Sequence, residues 1–506
     1  IPFGTGYRVV VQGLADDGSY QFFGASAPFV LDADNAPNVS VQVGPVNCIG
    51  TNRVAPTASP SEAGTPTLAV GRVGMTATTL LDGRVLIIGG ATSVANGLVS
   101  AVVSDIDIYD PASGRFERLP NFGLATPRAH HTASLLPSGD VLVYGGIQAQ
   151  TPSVTTVVGA PELVSLSTMQ VTDLSPQFAS VNKEDRWRHA AASLGTGDVL
   201  IVGGETGAMA GVLSQRLKNA FRYIPGAAGL PGTFDGQVAD MVNGRAGHTL
   251  TPLNSDLETA VVIGGIGQDD IFIPEVETYT TRVMGATDAE GQNVADLCSM
   301  VEGIQGAVSG CFIKTLDEGG ENTTLPVPVW GHSAVAIDNG QRVLIVGGYK
   351  VDASRANPSE QVYIYETVTQ ANASGVLKNK FNIRTGTGGI PLAKPAGDLA
   401  VALVDDNQPA DGLPLLVVGG TISTNGIESA VNAASIFVEG NVDNPDPIAY
   451  AEQAISAGVN NCGPVTLRRG AVAAQLHNGT VLLVGGIDAA NLPTPAAEIF
   501  FPAAIF

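Results

Sequence analysis

With 506 residues, the chain is longer than one ordinary hydrophobic core organises, so several domains or a repeat architecture are expected. It is 44% hydrophobic and only 14% charged and holds 62 glycines, which is typical of a folded, turn-rich, all-β protein and not of a disordered one. Because 47 acidic residues outnumber 25 Lys and Arg, the formal net charge is -22, which disfavours nucleic acid as a partner.

The apolar runs of the chain have the length of strands. Runs such as 85–88 and 415–418 fall far short of the roughly 20 residues that a membrane helix needs, so no transmembrane segment is expected. The sequence opens with IPFGTGYRVVVQGL and shows no initiator Met, basic region or apolar signal core. We therefore expect a processed product or part of a longer chain, with any signal peptide or lipid anchor upstream of Ile1.

Residues 1–46 differ in pattern from the rest of the chain. The segments YRVVVQGL, YQFFGAS, APFVLD and NVSVQVGP read as alternating strands, joined by the turns DDGS and DADNAPN. They predict part of a small, immunoglobulin-like β-sandwich, and we expect earlier strands to be missing because three or four strands alone are marginally stable. Residues 47–65, rich in Pro, Ser and Thr, predict a linker to a second domain at 66–506.

An apolar run that ends in two glycines occurs seven times between residues 66 and 506. The copies RVLIIGG, DVLVYGG, DVLIVGG, TAVVIGG, RVLIVGG, PLLVVGG and TVLLVGG end at Gly90, Gly146, Gly204, Gly265, Gly348, Gly420 and Gly486. Most follow a Gly-, Asn- or Asp-containing turn and a strand of small apolar residues, which predicts a β-hairpin. A third strand follows in several copies, as in EQVYIYE at 360–366.

The repeats have the size of four-stranded sheets, because consecutive glycine pairs lie too far apart for hairpin arrays. In RVLIIGG and the following IDIYDPASGRFERLP, the first repeat resembles those of kelch-repeat and galactose-oxidase-like β-propellers. Propellers of bacterial surface or outer-membrane lipoproteins are similarly preceded by a small sandwich. The seven copies predict a seven-bladed propeller, with six blades as the alternative if one glycine pair belongs to an irregular blade.

The four cysteines predict disulfides and hence an oxidising compartment. Cys298 and Cys311 bracket one glycine-rich segment, whereas Cys48 and Cys462 lie near opposite ends of the chain, and no CxxC pair indicates zinc. Among three pairings we favour Cys298–Cys311 with Cys48–Cys462, and four free thiols are the alternative. The second bond would clamp the seam where a strand from residues 52–60 completes the last blade.

Four of the six histidines share one position of the repeat. They are His131, His189, His248 and His332, and the other copies hold Met75, Asp398 and Ala471. A histidine repeated in this way most simply caps a loop or bonds the backbone of a neighbouring blade. The position before it holds His130 in one copy and Gly74, Arg188, Gly247, Gly331 or Gly470 elsewhere. His130 lacks a repeat-wide explanation and is therefore a candidate ligand-binding residue.

Arginines recur three residues ahead of this histidine position. They are Arg72, Arg128, Arg186, Arg245 and Arg468. If they converge at one mouth of the propeller channel, they form a cationic ring that would bind a carboxylate or an anionic glycan. The alternative is that each pairs with an Asp or Glu of the adjacent blade.

No cofactor, metal site or catalytic residue is expected. Galactose-oxidase-like enzymes need copper held by two His and two Tyr, one Tyr cross-linked to Cys; His130, His131 and Tyr144 are the nearest match here. We expect no cysteine in a repeat strand, so that cross-link cannot form. The acidic loops at 267–275 and 442–447 are candidates for Ca²⁺, but neither has the D-x-D-x-D-G spacing.

Together these features favour an extracellular, cell-surface or periplasmic protein that binds a protein or glycan and has no catalysis of its own. The long loops at 285–326 and 148–186 are the preferred binding segments. Two alternatives stay open: a carbohydrate-active, oxidase-like enzyme, and a structural subunit of an extracellular assembly or filament.

Overall fold

The computed structural model shows an all-β protein whose main part is a β-propeller. It describes residues 4–14, 16, 20–26, 29–31, 39, 41–46, 48–51, 66–95, 98–179, 181, 183–209, 213–227, 229–253, 259–281, 298, 309–315, 322–337, 340–350, 357–366, 390–392, 396–404, 415–424, 427–430, 434–439, 450–454, 466 and 468–502. Within these ranges, no helix is long and apolar enough to cross a membrane.

The first five strands form two small sheets. They are β1 (Gly4–Tyr7), β2 (Val10–Leu14), β3 (Tyr20–Ala25), β4 (Phe29–Leu31) and β5 (Gly44–Pro45). Strand β1 pairs with β4, and β3 pairs with both β2 and β5, all antiparallel. The predicted sandwich of residues 1–46 therefore appears as separate two- and three-stranded sheets, and its complete form stays a prediction.

The next strand, β6 (Cys48–Thr51), belongs to the propeller and not to the small sheets. It is followed by the first propeller sheet and its hairpin: β7 (Thr76–Thr79), β8 (Val85–Ile88), β9 (Ala91–Ala95), β10 (Leu98–Val102), β11 (Asp105–Asp110) and β12 (Arg115–Gly123). The sheet has the order β7-β8-β11-β12, while β9 and β10 pair with each other. The second sheet follows with β13 (Thr132–Leu135), β14 (Val141–Tyr144), β15 (Ile147–Gln150), β16 (Thr155–Val157), β17 (Glu162–Ser165), β18 (Gln170–Asp173) and helix α1 (Ser175–Phe178).

The remaining sheets repeat this plan, in which the chain builds each sheet outward from the centre. The third and fourth comprise β19 (Ala190–Ser193), β20 (Val199–Val202), β21 (Ala220–Ile224), β22 (Thr233–Asp235), β23 (Thr249–Pro252), β24 (Ala260–Ile263), β25 (Glu277–Thr281) and β26 (Gly310–Lys314). The fifth comprises β27 (Ser333–Ile337), β28 (Arg342–Val346), β29 (Gln361–Glu366) and β30 (Ile390–Pro391). The sixth comprises β31 (Ala400–Leu403), β32 (Leu415–Val418), the hairpin β33 (Thr421–Thr424) and β34 (Ile427–Ala430), β35 (Ala434–Glu439) and β36 (Tyr450–Ala454). The last contains β37 (Val472–Gln475), β38 (Val481–Val484) and β39 (Ala497–Phe501).

Seven four-stranded antiparallel sheets are thus present among the described strands. Their innermost strands contact one another in chain order, and β37 of the last sheet contacts β7 of the first. Apolar side chains fill the space between neighbouring sheets, as where Tyr109 and Phe116 of the first sheet pack with Leu482 of the last. This closed radial arrangement buries the second strand of each sheet on both faces, which is why those strands read as continuous apolar runs.

Both residues of each glycine pair have the left-handed conformation, with φ between 60° and 109°. The first has no room for a side chain, since a Cβ on Gly145 would lie 2.6 Å from the Arg186 carbonyl oxygen of the next sheet. The second donates its N–H to that carbonyl, from Gly146 to Arg186 at 3.0 Å. The last pair closes the ring, because Gly486 donates to the Arg72 carbonyl of the first sheet at 2.9 Å.

An N-terminal strand completes the last sheet. Strand β6 pairs with β39, with Cys48 opposite Phe501 and Thr51 opposite Glu498. The sequence predicted a strand exchange at this seam but placed it at 52–60; the pairing strand lies earlier, at the start of the segment 47–65 that was predicted as a linker.

The predicted Cys298–Cys311 disulfide is confirmed, with a Cα–Cα distance of 5.6 Å. Cys48 is also disulfide-bonded, whereas its predicted partner Cys462 lies outside the described residues. Cys311 lies within β26 and Cys48 within β6, so the expectation that no cysteine occupies a strand of the repeats was wrong.

Candidate functional site

The five repeated arginines are buried supports of the sheets. Their exposed fractions are 0–1%, and four of them pair with a carboxylate on the third strand of their own sheet. The pairs are Arg72–Asp107, Arg128–Glu162 (2.5 Å), Arg245–Glu277 (2.5 Å) and Arg468–Glu498 (2.7 Å). The prediction of a cationic ring at the channel mouth was therefore wrong, and so was the alternative that placed the acidic partner in the adjacent blade.

Arg186 follows the same plan with a neutral partner, because its Nη2 donates to Oδ1 of Asn219 at 2.5 Å. In all five cases Nη1 also donates to the carbonyl of the first glycine of the pair, as from Arg128 to Gly145 at 3.1 Å. Each guanidinium thus joins the start of the first strand, the end of the second and the third strand. These guanidinium groups are buried within their sheets and are not exposed to a ligand in the channel.

Three of the four repeated histidines link neighbouring sheets through their side chains. Nε2 of His189 lies 2.9 Å from Oγ1 of Thr132, at the start of the preceding sheet's innermost strand, and His332 and Thr249 repeat this contact at 2.9 Å. His131 pairs with Thr76 at 3.1 Å. These residues are therefore structural, although their partners are threonine hydroxyls and not loops or backbone groups as the sequence suggested.

In the sixth sheet, the structure shifts the sequence alignment of the repeats by one residue. Gly348 donates to the carbonyl of Ala396, so Ala396 occupies the position that arginine fills elsewhere. Three residues on, Leu399 and not Asp398 takes the histidine position. Asp398 instead shares the position of His130.

Seven residues at the His130 position surround the propeller axis, and all have a left-handed backbone. Glycine fills four of the positions, whereas His130 (φ 55°), Arg188 (φ 49°) and Asp398 (φ 49°) fill the others. We call these seven residues the axial ring; its members are Gly74, His130, Arg188, Gly247, Gly331, Asp398 and Gly470. Backbone hydrogen bonds join four of the neighbouring pairs, such as His130 N–H to Gly74 O at 2.7 Å and Gly470 N–H to Asp398 O at 3.1 Å.

One end of the propeller carries both the axial ring and the segments that follow the glycine pairs. In every sheet a backbone bridge joins the residue before the ring member to the residue after the glycine pair, as in Trp187 with Glu205 and Trp330 with Tyr349. These bridges hold the segments beside the ring. We call this end of the molecule the pocket face.

Arg188 lies between two aromatic rings on the pocket face. Its guanidinium carbon is 4.2 Å from the ring centroid of Trp187 and 5.2 Å from that of Trp330. Its Nη1 donates to Oε1 of Glu205 at 3.1 Å. Glu205 is buried and also pairs with Arg216, which in turn pairs with Asp270 at 2.9 Å. This network fixes Arg188 at the axis.

Asp398 is oriented by two hydroxyls. Tyr349 Oη and Thr421 Oγ1 donate to the same oxygen, Oδ2, at 2.7 and 3.1 Å. The Tyr349 ring occupies the space beside Gly397, where a Cβ would lie 2.2 Å from its Cζ. Gly397 is therefore needed for the tyrosine of the fifth sheet to reach the aspartate of the sixth.

A cavity of about 200 Å³ adjoins the axial ring between the first, second, sixth and seventh sheets. Its polar lining consists of His130, Asp398 and Arg469. Arg469 is 5% exposed and donates to Oδ1 of Asn491 at 3.3 Å. The other side chains are apolar and include Val94 and Val99 of the β9–β10 hairpin. Of the predicted ligand-binding residues, the structure brings His130 alone to this cavity.

The residues considered for copper do not fit a copper site. His131 bonds Thr76, and Tyr144 packs its ring 5.2 Å from His189 in the interior, so neither meets His130 at the axis. Among the described residues, no group of three or more His, Cys, Asp or Glu side chains is placed to hold a metal ion. Of the acidic loops considered for Ca²⁺, Asp270 pairs with Arg216, and 442–447 lies outside the described residues.

The two long loops that were predicted as binding segments are described by the structure to different extents. Much of 285–326 lies outside the described residues. The segment 148–186 forms the β15–β16 hairpin, the outer strands β17 and β18 and helix α1. It therefore supplies the outer half of the second sheet and one hairpin of the pocket face.

The solved structures that match the chain include the following two. YjhT is 11% identical, with a TM-score of 0.44 over 86% of this chain and 96% of that one. A fungal alcohol oxidase of the AA5 family, solved in complex with copper, is 11% identical, with a TM-score of 0.51 over 87% of this chain and 75% of that one. At this identity the oxidase bears out the galactose-oxidase-like fold and nothing more. No family model and no curated protein matches the chain.

Proposed function

We propose that the protein is a non-catalytic binding protein of the cell exterior, which recognises a protein or glycan through the pocket face of a seven-bladed, kelch-type propeller. The observation that carries the proposal is the placement of His130, Arg188 and Asp398 in left-handed positions of the axial ring. Glycine takes this conformation without strain, whereas other residues lose roughly 1–2 kcal/mol each. Strain of this kind concentrates at binding and catalytic sites.

The surroundings of these three residues support a binding role. The side chains that adjoin the ring are Trp187, Trp330, Tyr349 and Arg469, of types that are enriched where proteins bind partners. The sheets do not require Trp187, Trp330 or Arg469, because other copies of the repeat hold Val73, Ala129 or Ala246 in the same bridge position. A repeat that departs from its own pattern on one face therefore points to recognition on that face.

Exposed apolar side chains also lie on the pocket face. They come from segments that follow three of the glycine pairs: Leu213 is 80% exposed, Met209 66%, Ile271 63% and Leu492 61%. Apolar tips around a polar and aromatic centre fit a surface that a partner covers. The extracellular placement is supported by the Cys298–Cys311 disulfide and by the second disulfide at Cys48.

Arrays of glycans and of extracellular proteins, probed with the labelled full chain, test this function. The variant His130→Gly, with Arg188→Gly and Asp398→Gly added, should lose at least tenfold in affinity for any partner that the wild type binds. Met169→Gly is the matched control, since Met169 has φ 54° in the turn between β17 and β18, outside the axial ring. Equal binding by the triple variant would place recognition elsewhere.

A further inference from the structure

We propose that the cavity beside the axial ring binds a small zwitterion with an apolar side chain, that is, a free apolar α-amino acid such as leucine or phenylalanine. The site goes beyond the macromolecular partner proposed above. It shares His130 and Asp398 with the pocket face but requires no partner protein or glycan.

The size of the cavity sets the size of the ligand. Sites for drug-sized molecules have volumes of about 300–1,000 Å³. The present cavity, at about 200 Å³, is smaller and suits a molecule of the size of a single amino acid or a single sugar ring.

The apolar lining separates these two classes. Val73, Met75, Leu399, Val472 and Ile487 line the cavity together with the hairpin valines. A sugar ring in this position would bury several hydroxyls against groups that cannot accept or donate a hydrogen bond, which is unfavourable. A branched or aromatic side chain gains from the same surface.

The charged residues of the lining determine which charged groups the other end of the ligand carries. Asp398 and Arg469 belong to adjacent sheets, and the hydrogen bond between Gly470 N–H and Asp398 O holds their backbones side by side. A cation and a carboxylate that line the same cavity can meet the carboxylate and the ammonium of one α-amino acid. A ligand with only one of the two charges would bring a like charge towards Asp398 or towards Arg469.

Neighbouring side chains orient both charged residues of the cavity. The hydroxyls of Tyr349 and Thr421 orient the Asp398 carboxylate at Oδ2. Arg469 is buried against the cavity, and Asn491 positions its guanidinium. His130 faces the same space from the second sheet, where its ring closes the side of the cavity next to Gly74.

Calorimetric titration of the full chain tests the site with five probes: phenylalanine, 3-phenylpropionate, phenethylamine, glycine and galactose. We expect phenylalanine to bind at least tenfold more tightly than each of the others, which lack the ammonium, the carboxylate, the side chain or all three. Failure of phenylalanine to bind at millimolar concentration overturns the proposal. Equal or tighter binding of 3-phenylpropionate, phenethylamine or galactose overturns it as well.

Variants assign the two charges. Asp398→Asn should weaken phenylalanine at least tenfold and leave 3-phenylpropionate unchanged or tighter, whereas Arg469→Gln should weaken both acids and spare phenethylamine. Ala471→Leu, which fills the cavity without changing charge, should abolish binding even if Arg469→Gln fails to fold. Unchanged phenylalanine binding by folded Asp398→Asn or Ala471→Leu would refute the site, and a partner still bound by Ala471→Leu would leave the proposed function intact.

Discussion

Tyr349 and Asp398 belong to adjacent sheets and are joined by a hydrogen bond of 2.7 Å from the phenol to Oδ2 of the carboxylate. Tyr349 is fully buried, and Gly397 leaves the space that its ring occupies. The contact therefore couples the seam between the fifth and sixth sheets to the orientation of a residue in the axial ring.

Tyr349→Phe should destabilise the protein by about 1.5–3 kcal/mol, because the lost hydrogen bond has a charged acceptor. Urea denaturation of Tyr349→Phe, Asp398→Asn and the double variant measures the coupling. The pair should show a coupling energy of at least about 1 kcal/mol. Strictly additive effects would mean that this hydrogen bond contributes nothing to the seam.

The histidine of the fourth sheet offers a way to stabilise the fold. In three neighbouring pairs a threonine hydroxyl meets the histidine, but the corresponding residue of the third sheet is Ala190, which has no hydroxyl to offer His248. Ala190→Thr should therefore stabilise the protein by about 0.5–1.5 kcal/mol. The reverse change, Thr132→Ala, should destabilise it by a similar amount, which thermal unfolding of both variants will measure.

A loss of stability in Ala190→Thr would show that the added methyl group does not fit between the sheets. Ala190→Ser separates the two effects, since it supplies the hydroxyl without the methyl. If the serine variant is no more stable than the wild type, the hydroxyl contact contributes nothing at this seam.

Acid should destabilise the fold below about pH 6.5. Burial lowers the pKa of His332 to about 4 and that of His248 to about 3, and it lowers the pKa of His131 and His189 well below the ordinary value. A depressed pKa means that the unfolded chain binds protons that the folded chain does not, so the free energy of unfolding rises with pH across this window.

Each buried histidine should contribute about 1.4 kcal/mol per pH unit between pH 6.5 and its folded-state pKa. Denaturation at pH values from 5 to 8 isolates this effect, since unfolded carboxylates titrate mainly below about pH 5. In His332→Gln, the slope of the free energy of unfolding against pH should decrease by about 1.4 kcal/mol per pH unit between pH 5 and 6, which corresponds to one proton. An unchanged slope would show that His332 binds its proton in the folded protein.

The sequence predicted the repeated parts of the molecule well and its distinctive parts poorly. The glycine pairs, the hairpins and the Cys298–Cys311 bond follow from local patterns, because turn chemistry and strand periodicity are local properties. The repeated arginines suggest a binding site in the sequence because they recur at one position of the repeat. They recur there because every sheet needs the same buried support at the same place. Arg128 stands out in the sequence, but its side chain is buried and is not exposed to the channel.

The candidate site lies where the repeat breaks. Arg188 and Asp398 replace glycine at left-handed positions, but φ cannot be read from a residue that is not glycine, and a one-residue slip in the sixth copy hid Asp398. Only His130 was singled out by this signal. The network of Trp330 and Tyr349 depends on contacts between different sheets, which no single repeat reveals.

Two glycines with the same backbone conformation should respond very differently to alanine. Gly145 has φ 67°, and a Cβ there would lie 2.4 Å from Cε1 of His189 and 2.6 Å from the Arg186 carbonyl. Gly479 has φ 81° in an open turn, with nothing within 4 Å of a Cβ. Gly479→Ala should lose about 1–2 kcal/mol through backbone strain alone. Gly145→Ala should lose about 4 kcal/mol or more, because the neighbouring sheet must also move. Urea denaturation of both variants measures the difference, and equal losses would show that the seam between the second and third sheets yields easily.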